Sequence, residues 1–291
     1  MDAMDRFTIS NRRVTATIKA DGAELCSLKN IHGHEVLWQA GPEWPRHAPI
    51  LFPIVGRLKE DVLRHRGQSY AMTQHGFARD LRFSWTGQGP TSCALSLQDN
   101  AVTRAKYPFP FRLDVTYGIE GDRLAIGYEI TNTGTEMMPA SIGAHPAFNW
   151  PLVAGADKND HTIIFSDAEP APVRRLEGGL LRAASAPTPV QGGALALSES
   201  LFDHDAMILD RLASTSLSYS GPGSPTIEMA WQGFHELGIW SKPSGAPFLC
   251  IEPWQGYASP VDFDGEFADK PGVMHIAVGE TRRFMQWIGF L

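Results

Sequence analysis

Two titratable side chains in this sequence lie at the end of a short apolar segment, directly before a proline. A side chain at such a position could exchange a proton with a bound ligand. Glu252 follows an apolar run that begins at Phe248 and precedes Pro253, which cannot donate a ladder hydrogen bond and so predicts the end of a strand. His145 ends a second run and precedes Pro146 in the same way. A carboxyl group and an imidazole at the rim of a sheet are suited to general base and general acid catalysis.

Further side chains near these two are candidates for ligand contact. His75 and Arg79 lie on either side of a glycine in a segment typical of a loop, and Trp254 offers aromatic surface beside Glu252. Arg57 could donate hydrogen bonds to oxygen atoms of a ligand. Each has a structural alternative, because single histidines and arginines more often complete hydrogen bonds or ion pairs within the fold. The carboxylates that could pair with the arginines are Glu60 and Asp61 for Arg57, and Asp80 for Arg79.

The elements that would position these residues are predominantly strands. Gly (28 residues) and Pro (21 residues) separate short apolar or alternating runs, and no long stretch has a 3.6-residue period. About sixteen predicted strands exceed a seven-stranded sandwich, so we expect one all-β domain over residues 1–291, a large antiparallel β-sandwich. The clearest hairpin joins 115–119 to 124–130, and 36–39 is one of the shorter predicted strands. Single helical turns are expected at 99–106 and 198–202, and a surface excursion at 168–193.

Composition excludes several classes of protein. The net charge is −7 and basic residues form no run longer than a pair, which argues against a nucleic-acid or anionic-membrane surface. The three cysteines lie far apart without CxxC spacing, as expected of reduced thiols. Residues 1–5 lack the features of a signal peptide, and no segment has the length of a membrane span. The sequence therefore predicts a cytoplasmic protein.

Five segments together make the chain resemble the aldose 1-epimerase family, also called galactose mutarotase-like proteins, especially its compact bacterial members. The resemblance implies an isomerase with a β-supersandwich fold and a sugar bound in an open cleft on one sheet. It implies Glu252 as catalytic base and His145 as catalytic acid. It also implies sugar contacts from Arg57, His75 and Asp205, with Asp203 as the alternative to Asp205. The segments that carry the resemblance are 52–57, 74–79, 145–149, 201–207 and 252–254.

The chemistry implied by this resemblance needs one base and one acid. Glu252 would take the proton of the O1 hydroxyl while His145 gives a proton to the ring oxygen O5, so that the C1–O5 bond opens and can close on the other face. We expect partial burial to raise the pKa of Glu252 and the pKa of His145 to lie near 6.5. The reaction moves no electrons, so neither a metal nor an organic cofactor is expected.

Some alternatives stay open from the sequence. A hexose-6-phosphate 1-epimerase would use Arg57, Lys59 and Arg79 to bind phosphate. A non-catalytic carbohydrate-binding protein on the same fold would need neither the base nor the acid, and a hydrolase would need Asp205 to face Glu252. The expected partner is a small-molecule sugar or sugar phosphate, and the expected assembly is a monomer or homodimer. The aromatic residues that could cover the sugar ring are Trp254, Trp150 and Phe148.

Overall fold

The computed structural model describes residues 5–243 and 245–291 and consists mainly of antiparallel strands. The absence of a signal peptide was predicted from residues 1–5, of which 1–4 lie outside the described residues. The strands are β1 (Arg6–Ser10), β2 (Thr15–Lys19), β3 (Leu25–Lys29), β4 (Ile50–Leu51), β5 (Val62–His65), β6 (Gln68–Ala71), β7 (Ser84–Gln88), β8 (Ser92–Gln98), β9 (Phe111–Glu120), β10 (Arg123–Asn132), β11 (Met138–Ala140), β12 (Ile142–Ala144), β13 (Ala147–Asn149), β14 (Thr162–Phe165), β15 (Leu176–Glu177), β16 (Leu180–Leu181), β17 (Ala194–Ala196), β18 (Met207–Leu209), β19 (Ser216–Ser220), β20 (Ile227–Gln232), β21 (Glu236–Trp240), β22 (Phe248–Gln255), β23 (Met274–Ile276) and β24 (Thr281–Phe290).

In the described residues, helical structure is limited to short turns, as the sequence predicts. The helix α1 (Ala101–Arg104) begins at Asn100, whose side chain accepts hydrogen bonds from the N–H groups of Val102 and Thr103. The turns predicted at 99–106 and 198–202 are confirmed. The 3₁₀ turns are Lys59–Asp61, Ala78–Asp80, Lys158–Asp160, Glu199–Phe202 and Phe267–Asp269.

The larger sheet has nine strands in the order β17-β14-β19-β20-β24-β10-β9-β8-β7. Its long central hairpin, β9–β10, keeps one register from the pair Arg123–Glu120 to the pair Asn132–Phe111. Gly121 supplies a positive φ of 66° in the tight turn between them. The strongest hairpin prediction is therefore confirmed, because alternation over ten residues and a glycine turn fix the same pairing.

The second large sheet has the order β18-β21-β22-β12-β4, with β13 also paired to β22. Its side chains alternate between two environments. Met207, Ile239 and Ile251 join the main core, which extends from Ile9 to Ile288, whereas the neighbours of these residues along each strand point away from that core. The predicted β-sandwich is thus confirmed, and the face of the second sheet that points away from the core is free to form a site.

Two sequence predictions differ from the structure in detail. Residues 36–39 form no strand, because this segment makes only one isolated bridge, between Leu37 and Phe148. The excursion at 168–193 was predicted to have weak strand character, and the short hairpin β15–β16 agrees with this; it differs from a surface excursion in that Leu181 of β16 is buried. The single domain over residues 1–291 stays a prediction. Within the described part of the chain, no helix is long and apolar enough to cross a membrane.

Candidate active site

Strand register places His145 beside Glu252. β12 pairs Gly143 with Trp254, and β13 pairs Ala147 with Cys250 in the same register. Residues 144–146, between these two strands, therefore lie opposite 253–251, and His145 falls directly across from Glu252. On the other side of β22, Glu252 pairs with Gly238 of β21. A row across the sheet thus reads Gly238, Glu252, His145.

The predicted end of the strand at Pro253 is wrong. β22 continues to Gln255, and Pro253 pairs with Leu237 of β21. The N–H of Ile251 points to the other side of the strand, where it donates to the carbonyl oxygen of Pro146 at 3.3 Å. Pro253 would direct its N–H to the same side as Ile251, toward β12 and β13. These two strands are interrupted there, so the proline leaves no ladder hydrogen bond unmade.

The catalytic pair predicted from the sequence is in direct contact. Nε2 of His145 lies 3.1 Å from Oε2 of Glu252, and the side chains are 7% and 1% exposed. The imidazole of His145 stacks on Trp44, with ring centroids 5.0 Å apart, and meets the edge of Trp240 at 6.0 Å. Two indoles therefore exclude water from one side of the imidazole while its Nε2 faces the carboxyl group.

Burial favours the uncharged form of both members of this pair. Burial raises the pKa of Glu252 well above its ordinary value; the indole N–H of Trp254 opposes this rise, and the negative charge of Asp205 adds to it. Burial also lowers the pKa of His145 to about 3, with a smaller contribution from the positive charge of Arg79. The expectation of a pKa near 6.5 for His145 is therefore corrected. Both shifts favour the uncharged pair, a protonated carboxyl group on Glu252 and a neutral imidazole on His145.

Two glycines allow the indole of Trp254 to lie flat on the sheet next to this pair. A Cβ atom at Gly238 would lie 2.4 Å from Cη2 of Trp254, and a Cβ atom at Gly143 would lie 2.6 Å from its Cδ1. Both are too close for any other residue type unless the ring moves. Trp254, although only 4% exposed, thus lies flat beside the carboxyl group and lines the floor of the cavity.

His75 contributes a hydrogen-bond donor to the same cavity. The N–H of Gly56 donates to Nδ1 of His75 at 3.1 Å, which leaves the proton of the neutral ring on Nε2. Burial lowers the pKa of His75 well below its ordinary value, and the electrostatic effects of the nearby His145 and Arg79 lower it further. His75 adopts a φ of 65°, and the next residue, Gly76, is so close to Phe52 that a Cβ atom there would lie 2.2 Å from its carbonyl oxygen.

Asp205 lines the cavity from the segment before β18. Its Oδ1 accepts the N–H of Ala206 at 2.8 Å, and its backbone carbonyl accepts from Arg175 at 3.2 Å. Like His75, it has a positive φ, of 67°, which is uncommon outside glycine and concentrates at functional sites. Asp205, rather than the alternative Asp203, is the residue that lines the cavity.

The arginines do not all lie where the sequence predicts. Arg79 lines the cavity, but the guanidinium of Arg57 donates from Nε and Nη2 to the two carboxylate oxygens of Asp61, both at 2.7 Å. Arg57 does not line the cavity, and the structural ion pair is the arrangement that the structure supports. Lys59 lies against a separate small depression beside β5. Arg46 lines the cavity instead, and sequence analysis missed it.

The two remaining aromatic candidates lie in the main core. Trp150 and Phe148 are at most 1% exposed, and Nε1 of Trp150 donates to the carbonyl oxygen of Lys158 at 3.0 Å. The aromatic surface of the cavity comes from Trp254, Trp240 and Trp44. Trp44 stands in a Trp-Pro-Arg sequence between prolines, and this combination of bulky and polar residues in a loop was the signal that could have identified it and Arg46.

Among the described residues, a metal ion would have to bind the predicted catalytic pair itself. Among the described residues, the group with suitable ligand atoms is His145, Cys250 and Glu252, whose ligand atoms lie within 4.8 Å of one another. Burial raises the pKa of the Cys250 thiol well above its ordinary value, so that the thiolate needed for metal binding is disfavoured.

Together these residues line a cavity of about 440 Å³ on the second sheet. Its size lies within the range of small-molecule sites. It combines a flat indole, hydrogen-bond donors and acceptors, and a buried carboxyl–imidazole pair. The cavity can therefore hold a polyhydroxylated ring and exchange two protons with it.

Known proteins resemble this chain over almost its whole length. The family model for aldose 1-epimerase matches residues 5–274. Protein LacX (plasmid) of Lactococcus lactis subsp. lactis is 35% identical, with 94% of this chain and 96% of that protein covered. The galactose mutarotase related enzyme from Lactobacillus acidophilus is 34% identical with a TM-score of 0.91, covering 98% and 97% of the two chains. A galactose mutarotase-like protein from Lactobacillus casei ATCC 334 is 30% identical with a TM-score of 0.92, covering 98% and 100%. The chain therefore belongs to the aldose 1-epimerase family and is an isomerase of the mutarotase type.

Proposed function

We propose that the protein interconverts the α and β anomers of an aldose, with Glu252 as base and His145 as acid. The observation that carries this proposal is the buried contact of 3.1 Å between Oε2 of Glu252 and Nε2 of His145 on the floor of the cavity. Ring opening needs one proton removed from O1 and one delivered to O5, and these oxygens are bonded to the same carbon, C1. A base and an acid held side by side match that spacing.

The steps balance without any further reactant. In the ion-pair form of the pair, Glu252 takes the O1 proton and His145 gives its proton to O5, so that the C1–O5 bond breaks and the C1 carbonyl forms. Glu252 is then a neutral acid and His145 a neutral imidazole. After rotation about the C1–C2 bond, Glu252 returns its proton to O1 and His145 removes the proton from O5, which attacks the other face of C1.

Burial of the pair assists the ring-opening step. The two proton transfers convert a carboxylate and an imidazolium into two neutral groups, and desolvation favours neutral groups over charged ones. The raised pKa of Glu252 and the lowered pKa of His145 therefore stabilise the open-chain stage. Before ring opening, the single proton of the pair moves from Glu252 to His145.

The surrounding residues orient the ring. Nε2–H of His75 donates to a sugar oxygen, the carboxylate of Asp205 accepts from sugar hydroxyls, and the indole of Trp254 packs against the C–H groups of the ring. Each of these side chains lines the cavity together with the catalytic pair. Arg57 has no part in this proposal, because its guanidinium is paired with Asp61.

Anomer interconversion can be followed directly. Freshly dissolved pure anomers of glucose, galactose and other aldoses, with their 6-phosphates, are monitored by polarimetry or NMR with and without enzyme. We expect faster equilibration of at least one sugar. Glu252→Gln protein, purified in parallel, controls for contaminating mutarotase. Sugar binding without acceleration of any aldose would contradict the proposed activity and favour a binding protein.

A further inference from the structure

Two buried charged side chains have no part in the proposed catalysis. Glu236, at the start of β21, is 7% exposed, and Lys270, directly after the 3₁₀ turn Phe267–Asp269, is 3% exposed. Charged side chains are almost never buried to this extent unless they are paired. Glu236 is the register partner of Trp254, so its side chain lies on the face of the sheet that carries the catalytic pair.

Glu236 and Lys270 contact two successive residues directly after β22. Oε2 of Glu236 accepts the N–H of Gly256 at 2.8 Å, and Nζ of Lys270 lies 5.2 Å from the ring centroid of Tyr257, a cation–π contact. Gly256 adopts a φ of 95°, and a Cβ atom there would lie 2.3 Å from Oγ of Ser141. The turn at Gly256 therefore requires glycine, and the carboxylate satisfies its N–H group.

The charges of Glu236 and Lys270 stabilise each other. Burial raises the pKa of Glu236 to about 7; the hydrogen bond from Gly256 and the nearby His235 and Lys270 oppose this rise, and the negative charge of Asp210 adds to it. Burial lowers the pKa of Lys270 to about 7, and the negative charge of Glu236 opposes that shift. Removal of either side chain would leave the other as a buried charge without its counter-charge.

The segment 256–259 supports the backbone that orients His75. A Cβ atom at Gly56 would lie 2.6 Å from Cβ of Ala258, so the two main chains are in close contact, and both residues line the cavity. The N–H of Gly56 donates to Nδ1 of His75 at 3.1 Å, which places the proton of the neutral ring on Nε2. A shift of this segment would therefore disturb a donor that we propose binds the sugar.

The same segment also supports the indole of Trp254. Tyr257 packs against the apolar cluster that contains Trp254. Two residues further along the chain, the N–H of Ser259 donates to the carbonyl oxygen of Arg57 at 2.9 Å. The segment is thus held against both sides of the cavity floor, and Glu236 and Lys270 contact it from behind.

We propose that Glu236 and Lys270 are positioning residues of the active site, which act through residues 256–259. By holding this segment, they keep the indole of Trp254 and the Nε2–H of His75 where the sugar needs them. This inference rests on the proposed function and adds two residues that contact neither the sugar nor the transferred protons.

Kinetics of Glu236 variants separate positioning from stability. KM and kcat are measured for the aldose that the wild type equilibrates fastest. Glu236→Ala removes the acceptor of the Gly256 N–H and should raise KM by about tenfold, with kcat changed less than about threefold, because Trp254 and His75 bind the sugar without exchanging protons with it. Glu236→Gln keeps an acceptor at this position and should restore most of the loss.

A second variant and a matched control complete the comparison. Lys270→Met removes the charge from a side chain of similar length and should raise KM at least about threefold. Glu169→Ala is the control, because Glu169 is 1% exposed and its carboxylate accepts the N–H groups of Ala213 and Ser214, but it is not among the residues that line the cavity. Glu169→Ala should lower the thermal unfolding temperature and leave KM unchanged.

The imidazole of His75 gives a readout that needs no substrate. NMR of the imidazole nitrogens, assigned with His75→Asn, identifies the tautomer whose proton is on Nε2 and whose Nδ1 accepts a hydrogen bond. Glu236→Ala and Lys270→Met should shift these resonances, because the Gly56 N–H moves relative to the ring. Glu169→Ala should not shift them.

The outcomes distinguish this inference from the proposed function. If folded Glu236→Ala and Lys270→Met leave both KM and the His75 resonances unchanged, the positioning role is refuted and the epimerase activity stands. If Glu236→Ala does not fold, Lys270→Met decides in the same way. If the wild type epimerises no sugar, the proposed function fails, and the His75 resonances still decide whether Glu236 and Lys270 position this side chain.

Discussion

The packing of Trp254 on two glycines leads to a sharp prediction for Gly238→Ala. The added Cβ would lie 2.4 Å from Cη2 of the indole, and ordinary van der Waals contact begins at 3.4 Å, so the ring must move by about 1 Å. The main chain of Gly238 is fixed by pairing with both Ile208 and Glu252, which leaves the indole as the part that moves. The ring would then shift into the cavity, where we propose that the sugar binds.

The expected consequence is a loss of activity larger than the loss of stability. Misplacement of a positioning group by about 1 Å can cost on the order of a hundredfold in rate. Overpacking of this kind costs roughly 1–3 kcal/mol of folding free energy, which a folded domain usually tolerates. We therefore expect kcat/KM for mutarotation to fall about a hundredfold while the protein stays folded in a thermal unfolding experiment.

A double-variant cycle makes this prediction specific. In a Trp254→Ala background there is no ring for the new methyl group to displace, so Gly238→Ala should have little further effect on kcat/KM. Gly118→Ala is the matched control, because Gly118 lies in strand β9 with no atom within 4 Å of the added Cβ. Wild-type activity of Gly238→Ala, or an equal loss in both backgrounds, would refute the assigned position of the indole.

Other predictions concern the pH dependence and the arginine outside the cavity. The active pair holds one proton, so activity is lost at low pH when His145 gains a second proton and at high pH when Glu252 loses its own. Since burial lowers the pKa of His145 to about 3, kcat/KM should persist at pH 5; an acidic limb near pH 6.5 would contradict this. The charge of Asp205 raises the pKa of Glu252, so Asp205→Asn should move the alkaline limb to lower pH, and an unchanged or higher limb would argue against this interaction. Arg57→Gln should keep kcat/KM within about twofold of wild type, because an exposed ion pair contributes little to the stability of the fold. A large rise in KM would show that Arg57 contacts the substrate.

Local sequence patterns were sufficient for most of the elements, whereas the catalytic roles predicted for Glu252 and His145 came from the resemblance of five segments to a known family. The alternation in β9 and β10 predicts both strands and their pairing, because ten residues per strand and a glycine turn leave one register. Glu252 and His145 were recognisable because a titratable group next to proline interrupts an apolar run. Their contact was not predictable from spacing, since it depends on β12 and β13 sharing one register against a strand more than 100 residues away.

Tertiary environment decided the rest of the site. Arg57 has the residue type of a ligand contact, but Asp61 is close enough to accept hydrogen bonds from both its Nε and its Nη2. Arg46 and Trp44 come from a proline-rich loop, and only the packing of Trp44 on His145 brings that loop to the cavity. The pKa of His145 depends on burial by Trp44 and Trp240, which no local pattern reveals.

The most direct test of the account is the rate of anomer interconversion in Glu252→Gln, His145→Asn and the double variant, each shown to be folded. Because the two groups act as one pair, each single change should lower the catalysed rate by roughly a hundredfold or more, and the double variant should lose little beyond the worse single variant. Wild-type rates in Glu252→Gln, or losses that simply multiply in the double variant, would contradict the pair as the catalytic unit.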